Sequence, residues 1–332
     1  MNKIVRISQP FNEWLFVAQL CSIRSSDWLC ERQSEWLEQS GGTLNEQERS
    51  LCDALGKLHK RHDSSFVEII FLEHSDDELQ RRLESEYGNN DASIILKAIR
   101  SFAPRFELFW ATALPRLELI REYLVSHVST IDNALADVER LCGLGLDVSL
   151  LRNTPLYLAI ASSHPNDLVG WFSHSNSRNT FVLEFCDDVS VVSGFLEAVI
   201  VHEMFHIGLR QNDKLMSHIH SIGAQAHDEI PVVDDMKPER VYEEILVSSF
   251  TPEGAIAEKH FGKVMPLDKP KIDFSGGKLV LLRRRVAGYL STIAREYIDS
   301  GKTIDDDYFA ALLEGIKKAG RSVSAKSVII KT

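Results

Sequence analysis

Residues 195–209 read Phe195-Leu-Glu-Ala-Val-Ile-Val-His-Glu-Met-Phe-His-Ile-Gly-Leu209 and contain an H-E-x-x-H pentapeptide. Side chains four residues apart lie on the same face of a helix, so the imidazoles of His202 and His206 can bind one metal ion without distorting the backbone. Glu203 lies beside this row, where its carboxylate can reach a water held by the metal rather than the metal itself. The pentapeptide is therefore typical of a zinc hydrolase, with two ligands and a general base on one turn of helix.

The residues around the pentapeptide are mostly apolar, which predicts that this helix is buried. They include Val199, Ile200, Val201, Phe205, Ile207 and Leu209. Burying two histidines and a glutamate without partners costs roughly several kcal/mol, and a metal ion would supply the missing partner. The alternative is a pair of core histidines that are hydrogen-bonded to backbone groups.

Composition and charge narrow the class of protein. The chain has 332 residues, of which 44% are hydrophobic and 26% charged, as in ordinary soluble proteins of one or two domains. Its net charge of −11 disfavours nucleic acid and anionic membranes as partners. We expect no membrane-spanning helix, because no apolar run reaches 18 residues.

The cysteines and the first residues favour a cytoplasmic protein. Five widely spaced cysteines without a C-x-x-C pair argue against a disulfide framework and against a cysteine-type zinc site. The first ten residues lack an apolar run long enough for a signal peptide. The one run of like charge, Arg283-Arg284-Arg285, is interpreted as a solvated helix face.

The order of the patterns predicts a mostly helical α+β fold. Helical periodicity dominates up to Gly143, with buried aromatic residues at helical spacing between residues 102 and 110. Residues 155–161 and 180–185 then have the composition of strands, with loops between them, and the H-E-x-x-H helix follows. We therefore predict a helical region at 1–145 and a metal-binding domain at 146–332. A small sheet would lie next to the H-E-x-x-H helix, here named the metal helix.

A catalytic zinc ion usually has three protein ligands, so one more is needed. Residues 238–250 predict a later helix with a broad apolar side, and it carries Glu243 and Glu244. The periodicity does not decide between them. Glu244 is slightly favoured because Val241, Val247 and small Ser248 flank it along one row, whereas Glu243 lies nearer the middle of the apolar side. Three histidines in the polar segment after the metal helix remain possible ligands: His218, His220 and His227.

Together, His202, Glu203, His206 and Glu244 resemble the gluzincin-like branch of the zincin metallopeptidases, over about residues 155–260. Metzincins are excluded, because Leu209 and Asn212 stand where that group has glycine and histidine. The resemblance implies a zinc metallopeptidase acting on peptides or proteins. In it, zinc activates a water molecule, and Glu203 takes the water's proton and later passes it to the leaving amine.

The resemblance also implies two further features. The strand before the metal helix, here 180–185, would be a sheet edge that binds an extended peptide. A histidine, tyrosine or arginine would stabilise the oxyanion, and the candidates are His227, Tyr242 and His260.

Two other functions fit the same motif. Two imidazoles and a carboxylate also suit Fe²⁺, as in proteins that resemble 2-oxoglutarate-dependent peptide β-hydroxylases, where Arg240 is a candidate to hold the carboxylate of 2-oxoglutarate. A non-enzymatic interaction module stabilised by its metal would instead have a closed shell of four ligands.

Overall fold

The computed structural model describes residues 5–23, 30–62, 70–72, 76–144, 151, 154–160, 168–175, 178–185, 194–225, 236–262 and 277–326. The predicted mostly helical α+β class is confirmed. The helices are α1 (Gln9–Leu20), α2 (Cys30–Gln39), α3 (Glu46–Arg61), α4 (Asp76–Ser126), α5 (Val128–Leu141), α6 (Phe195–Arg210), α7 (Asp213–Gln225), α8 (Pro238–Ser248), α9 (Ala255–Phe261), α10 (Gly277–Ser300) and α11 (Asp306–Lys326). The strands are β1 (Val5–Ile7), β2 (Leu156–Ile160), β3 (Leu168–Ser175) and β4 (Arg178–Phe185).

Two compact units make up the chain. One consists of Met1–Val125 and Thr154–Ser190, and the other of Ser126–Asn153 and Val191–Thr332. This division differs from the boundary predicted at residue 145. The sheet belongs with the N-terminal helices because β1 pairs with β2, and α5 belongs with the metal helix because it packs against α6 and α9.

The first unit contains a four-stranded sheet with the order β1-β2-β4-β3. Strands β1, β2 and β4 run parallel, and β3 forms an antiparallel pair with β4. The expectation that 180–185 is a free edge is therefore wrong, because β4 uses its backbone groups on both sides. Strand β3 also occupies part of the region predicted as loop, and β1 lies in a region predicted as helical.

The aromatic residues predicted for the core are buried in the first unit. Phe102, Phe106 and Phe109 are each no more than 2% exposed. The ring centroids of Phe109 and Trp36 lie 4.4 Å apart, so α4 packs against α2 through large side chains. Gly88 breaks α4 with a φ of 77°.

Cys21 and Cys52 form a disulfide, which the wide cysteine spacing did not predict. Folding brings the end of α1 beside α3, and sequence separation carries no information about that contact. Cys142 is free and buried. Among the described residues, no helix combines the length and apolar character needed to cross a membrane.

Arg105 joins α4 to α3 and to the turn before it. Its Nε lies 2.7 Å from Glu48 Oε1 and its second amino group 2.9 Å from Oε2, so the pair is bidentate. The same guanidinium donates to the carbonyls of Gly42 and Thr43. Both side chains are largely buried, at 12% and 6% exposure.

We expect Arg105→Met to lower the free energy of unfolding by about 3–5 kcal/mol, because it leaves Glu48 buried and unpaired. Arg121→Met on the same helix removes an exposed pair with Glu118 and should change stability by less than about 0.5 kcal/mol. Urea denaturation followed by circular dichroism measures both values. Equal losses in the two variants would contradict the importance of this pair.

Candidate metal centre

The metal helix α6 begins after Gly194 in the second unit. Glu197 accepts a hydrogen bond from the backbone N–H of Gly194 at 2.9 Å and so caps the first turn. Along its length α6 packs against α5, α7, α8 and α9, which buries the predicted apolar residues except Val199, which is half-buried.

Helix α8 brings a carboxylate to the two histidines of α6. The Nε2 atoms of His202 and His206 lie 3.3 Å apart. Glu244 places Oε2 at 3.5 Å from the first of these nitrogens and Oε1 at 3.5 Å from the second. The three ligand atoms all lie within 4.8 Å of one another, and all three residues are buried. The structure therefore brings together the three predicted metal ligands.

The other ring nitrogens face hydrogen-bond acceptors. Nδ1 of His202 donates to the carbonyl oxygen of Thr251 at 2.7 Å, and Nδ1 of His206 donates to Glu243 Oε1 at 2.7 Å. A proton on Nδ1 leaves the lone pair of a neutral imidazole on Nε2, which faces the other ligand. Metal-binding histidines usually have such oriented rings. Glu243, the less favoured candidate ligand, thus supports His206.

Electrostatics favour a positive charge at this centre. Burial by itself would lower the pKa of His206, but hydrogen bonds to Glu243 and Glu244 outweigh it and raise the pKa to about 9. Burial would raise the pKa of Glu244, but hydrogen bonds from His202 and His206 hold it well below its usual value. A carboxylate that stays ionised beside two imidazoles is a good binding partner for a divalent cation.

Three arginines surround the carboxylates. Arg240 lies 2.9 Å from Glu244 Oε1 and 3.2 Å from Glu243 Oε1, so the residue suggested for 2-oxoglutarate pairs with the ligand helix itself. Arg210 lies 3.6 Å from Glu243 Oε1. Arg283 lies 3.9 Å from Glu244 Oε2, with 17% of its side chain exposed, so its predicted place on a solvated helix face is wrong.

The remaining predicted residues have other surroundings or lie outside the described residues. Glu203 is half-buried on α6 and interacts electrostatically with His206. The Tyr242 hydroxyl donates to the Phe309 carbonyl, and His260 is hydrogen-bonded to Asp137. His227 lies outside the described residues.

His218 and His220 lie on helix α7 rather than in a loop. The His218 ring stacks on Phe309, with 4.4 Å between the ring centroids.

The donor set fits a zinc ion. Two imidazole nitrogens and a carboxylate oxygen are ligands that zinc takes in catalytic sites, where three protein ligands leave a position open. Within the described residues, the group that could hold a metal has three members rather than the four of a closed structural site.

No protein-family model, curated protein or solved structure matches the chain. The resemblance to gluzincins therefore stays a prediction from the sequence motif.

Sequence reasoning missed Thr251, which supports His202 through its backbone carbonyl. The Thr251 hydroxyl also donates to the carbonyl of Ala198 at 2.8 Å, which fixes the segment to α6. A backbone acceptor carries no signature in its residue type, so no pattern could have revealed it. The turn that contains Thr251 does require a glycine at position 254, because a Cβ atom there would lie 1.9 Å from the carbonyl oxygen of Ser249.

We expect Gly254→Ala to lower the free energy of unfolding by about 1–3 kcal/mol, because the backbone must move to admit the methyl group. Zinc affinity should fall about 10-fold or more as Thr251 shifts from His202. Gly288→Ala is the matched control, since nothing lies within 4 Å of its Cβ position in α10. That control should gain about 0.5–1 kcal/mol, because alanine favours a helix over glycine. Denaturation and zinc titration measure the two effects, and unchanged zinc affinity in Gly254→Ala would contradict the role of this segment.

Proposed function

We propose that this chain is a zinc metallopeptidase whose ion is held by His202, His206 and Glu244. The observation that carries the proposal is the convergence of two Nε2 atoms and one carboxylate, with both Nδ1 atoms bound to oxygen acceptors. This arrangement orients the rings before any metal binds, which lowers the cost of binding it.

In the proposed reaction, the residues around the three ligands transfer protons and orient the imidazoles. A zinc ion at this site would supply Lewis acidity and lower the pKa of a water in its open position toward about 7. Glu203, next to the first ligand, accepts the proton of the attacking water and passes it to the nitrogen of the leaving amine. Glu243 and Thr251 hold the two imidazoles in position. The substrate class is a peptide or protein.

Metal analysis and peptide cleavage test the proposal. Protein purified without added metal should contain about one zinc ion per chain and should cleave members of a mixed peptide library, with new termini detected by mass spectrometry. A chelator should abolish cleavage and added zinc should restore it. Stoichiometric zinc without cleavage of any library member would contradict the proposed reaction.

The second candidate is an Fe²⁺- and 2-oxoglutarate-dependent peptide hydroxylase. It is favoured by the same donor set, since two histidines and one carboxylate with open positions are typical of non-haem iron oxygenases. It predicts iron in the purified protein and peptide-stimulated conversion of 2-oxoglutarate to succinate. Zinc-dependent cleavage without consumption of 2-oxoglutarate would reject it.

A further inference from the structure

Arg283 projects from α10 toward the ligand helix α8 and has two carboxylate neighbours. One amino group lies 3.9 Å from Glu244 Oε2, and the other lies 3.4 Å from Glu253 Oε2. The same oxygen of Glu244 lies 3.5 Å from His202 Nε2, so the guanidinium is close to the proposed ion. Its closeness to the ligands makes Arg283 a candidate for contact with a substrate.

The guanidinium has hydrogen-bonding capacity to spare. Arginine carries five N–H donors, and the contact with Glu253 uses one of them. The distance of 3.9 Å to Glu244 is too long for a hydrogen bond. Nε has no hydrogen-bond partner among the described residues but is enclosed by protein atoms, so the donors left for a ligand are those of the two amino groups. An oxygen-bearing ligand with two acceptor atoms would therefore meet unused donors, and the forked geometry suits a carboxylate.

The charges around the centre also favour an anion once a divalent cation binds. Four carboxylates and three guanidiniums lie there: Glu203, Glu243, Glu244, Glu253, Arg210, Arg240 and Arg283. These groups by themselves sum to one negative charge. With a divalent cation bound and both histidines neutral, as metal ligands are, the sum becomes one positive charge, which a substrate carboxylate would neutralise.

Metal binding also reduces the attraction between Arg283 and Glu244. A carboxylate that donates electron pairs to a cation is a weaker partner for a second cation, so Glu244 competes less for the guanidinium. Glu253 has only 2% of its side chain exposed and keeps the base of the guanidinium in place. Arg283 is thus fixed by Glu253, while its amino group near Glu244 has no hydrogen-bond acceptor among the described contacts.

We infer that Arg283 binds a carboxylate of the substrate, so that the preferred peptides carry a negative charge close to the bond that is cleaved. This inference rests on the proposed metallopeptidase function. The carboxylate has two possible sources, the free C-terminus of a peptide and an acidic side chain.

Binding to the zinc-loaded Glu203→Gln chain tests the inference without turnover. Three probes separate the sources: N-acetyl-dialanine, its C-terminal amide, and that amide with glutamate in place of the second alanine. Isothermal titration should show that at least one acidic probe binds about 10-fold more tightly than the neutral amide, as expected for charge-assisted hydrogen bonds. The tighter of the two acidic probes identifies the source. Equal binding of all three probes would overturn the inference.

Arg283→Gln must be combined with Glu253→Gln, because Arg283→Gln alone leaves the carboxylate of Glu253 buried and unpaired. The double variant Glu253→Gln/Arg283→Gln should lose the preference for acids to within about 2-fold, whereas Glu253→Gln alone should keep it. Arg283→Lys should retain only part of the preference, since an ammonium group cannot form the forked contact. Arg295→Gln, an exposed arginine on the same helix, should leave the preference unchanged.

Thermal melts establish that each variant is folded before its affinities are compared. A folded double variant that still prefers the acidic probes would overturn the role of Arg283. A chain that prefers acids through Arg283 but cleaves no peptide would contradict the proposed function and support the assignment of Arg283 as a carboxylate-binding residue.

Discussion

The Glu203→Gln variant should bind zinc as tightly as the unchanged chain and cleave peptides about 10²–10⁴-fold more slowly. Glutamine has nearly the shape of glutamate, so the packing of α6 and the three ligands stay as they are. The amide, however, cannot accept a proton from water at neutral pH. A loss confined to the rate constant of cleavage is therefore the expected sign of a missing general base.

Single-turnover kinetics with a peptide found in the library, together with zinc content, measure both quantities. Glu314→Gln serves as the control, because that carboxylate is largely exposed on α11 and pairs only with Lys318 among the described contacts. It should leave the rate within a factor of about 2. A Glu203→Gln chain with the full cleavage rate would show that another group takes the proton.

The adjacent glutamates of α8 should differ in their effect on metal affinity. We expect Glu244→Gln to weaken zinc binding by more than about 100-fold, because it removes a ligand, and cleavage should fall with it. Glu243→Gln should weaken zinc binding by about 10–100-fold, because it removes only the acceptor that orients His206. The two substitutions are identical in chemistry and one residue apart, so each is the control for the other.

Competition with a chromophoric zinc chelator gives the two affinities on one scale. Removal of Glu243 also leaves Arg240 and Arg210 with one carboxylate fewer, so stability is measured by denaturation in parallel. A larger loss of zinc affinity in Glu243→Gln than in Glu244→Gln would exchange the roles assigned to them.

The candidate metal ligands could be predicted from sequence only where the geometry of a single helix places the side chains together. His202 and His206 follow from a spacing of four residues, which needs no knowledge of the tertiary fold. Glu244 was favoured over Glu243 only narrowly, because both lie on the broad apolar side of α8. The packing of α8 on α6 places Glu244 3.5 Å from both Nε2 atoms and makes Glu243 a hydrogen-bond acceptor for His206, and that packing is not encoded in local periodicity.

Long-range contacts account for what the sequence did not reveal. Strand β1 has three residues, too few for a periodic signal, and it exists because it pairs with β2 about 150 residues later in the chain. Strand β4 was taken for an edge, since nothing local indicates that β3 folds back on it. Arg283 looked like part of a solvated basic run, but the packing of α10 on α8 places it beside Glu244.

The segment Thr251-Pro252-Glu253 contacts both the imidazole of His202 and the guanidinium of Arg283. Thr251 and Glu253, two residues apart on one short turn, thus hold the groups that we propose for two ligands, the ion and the substrate carboxylate. If the turn shifts when one ligand binds, the affinity for the other changes as well. Thermodynamic reciprocity then requires that any gain in zinc affinity from an acidic peptide equals the gain in peptide affinity from zinc. Such an enzyme would retain its ion best while it is occupied and would exchange it most readily between turnovers.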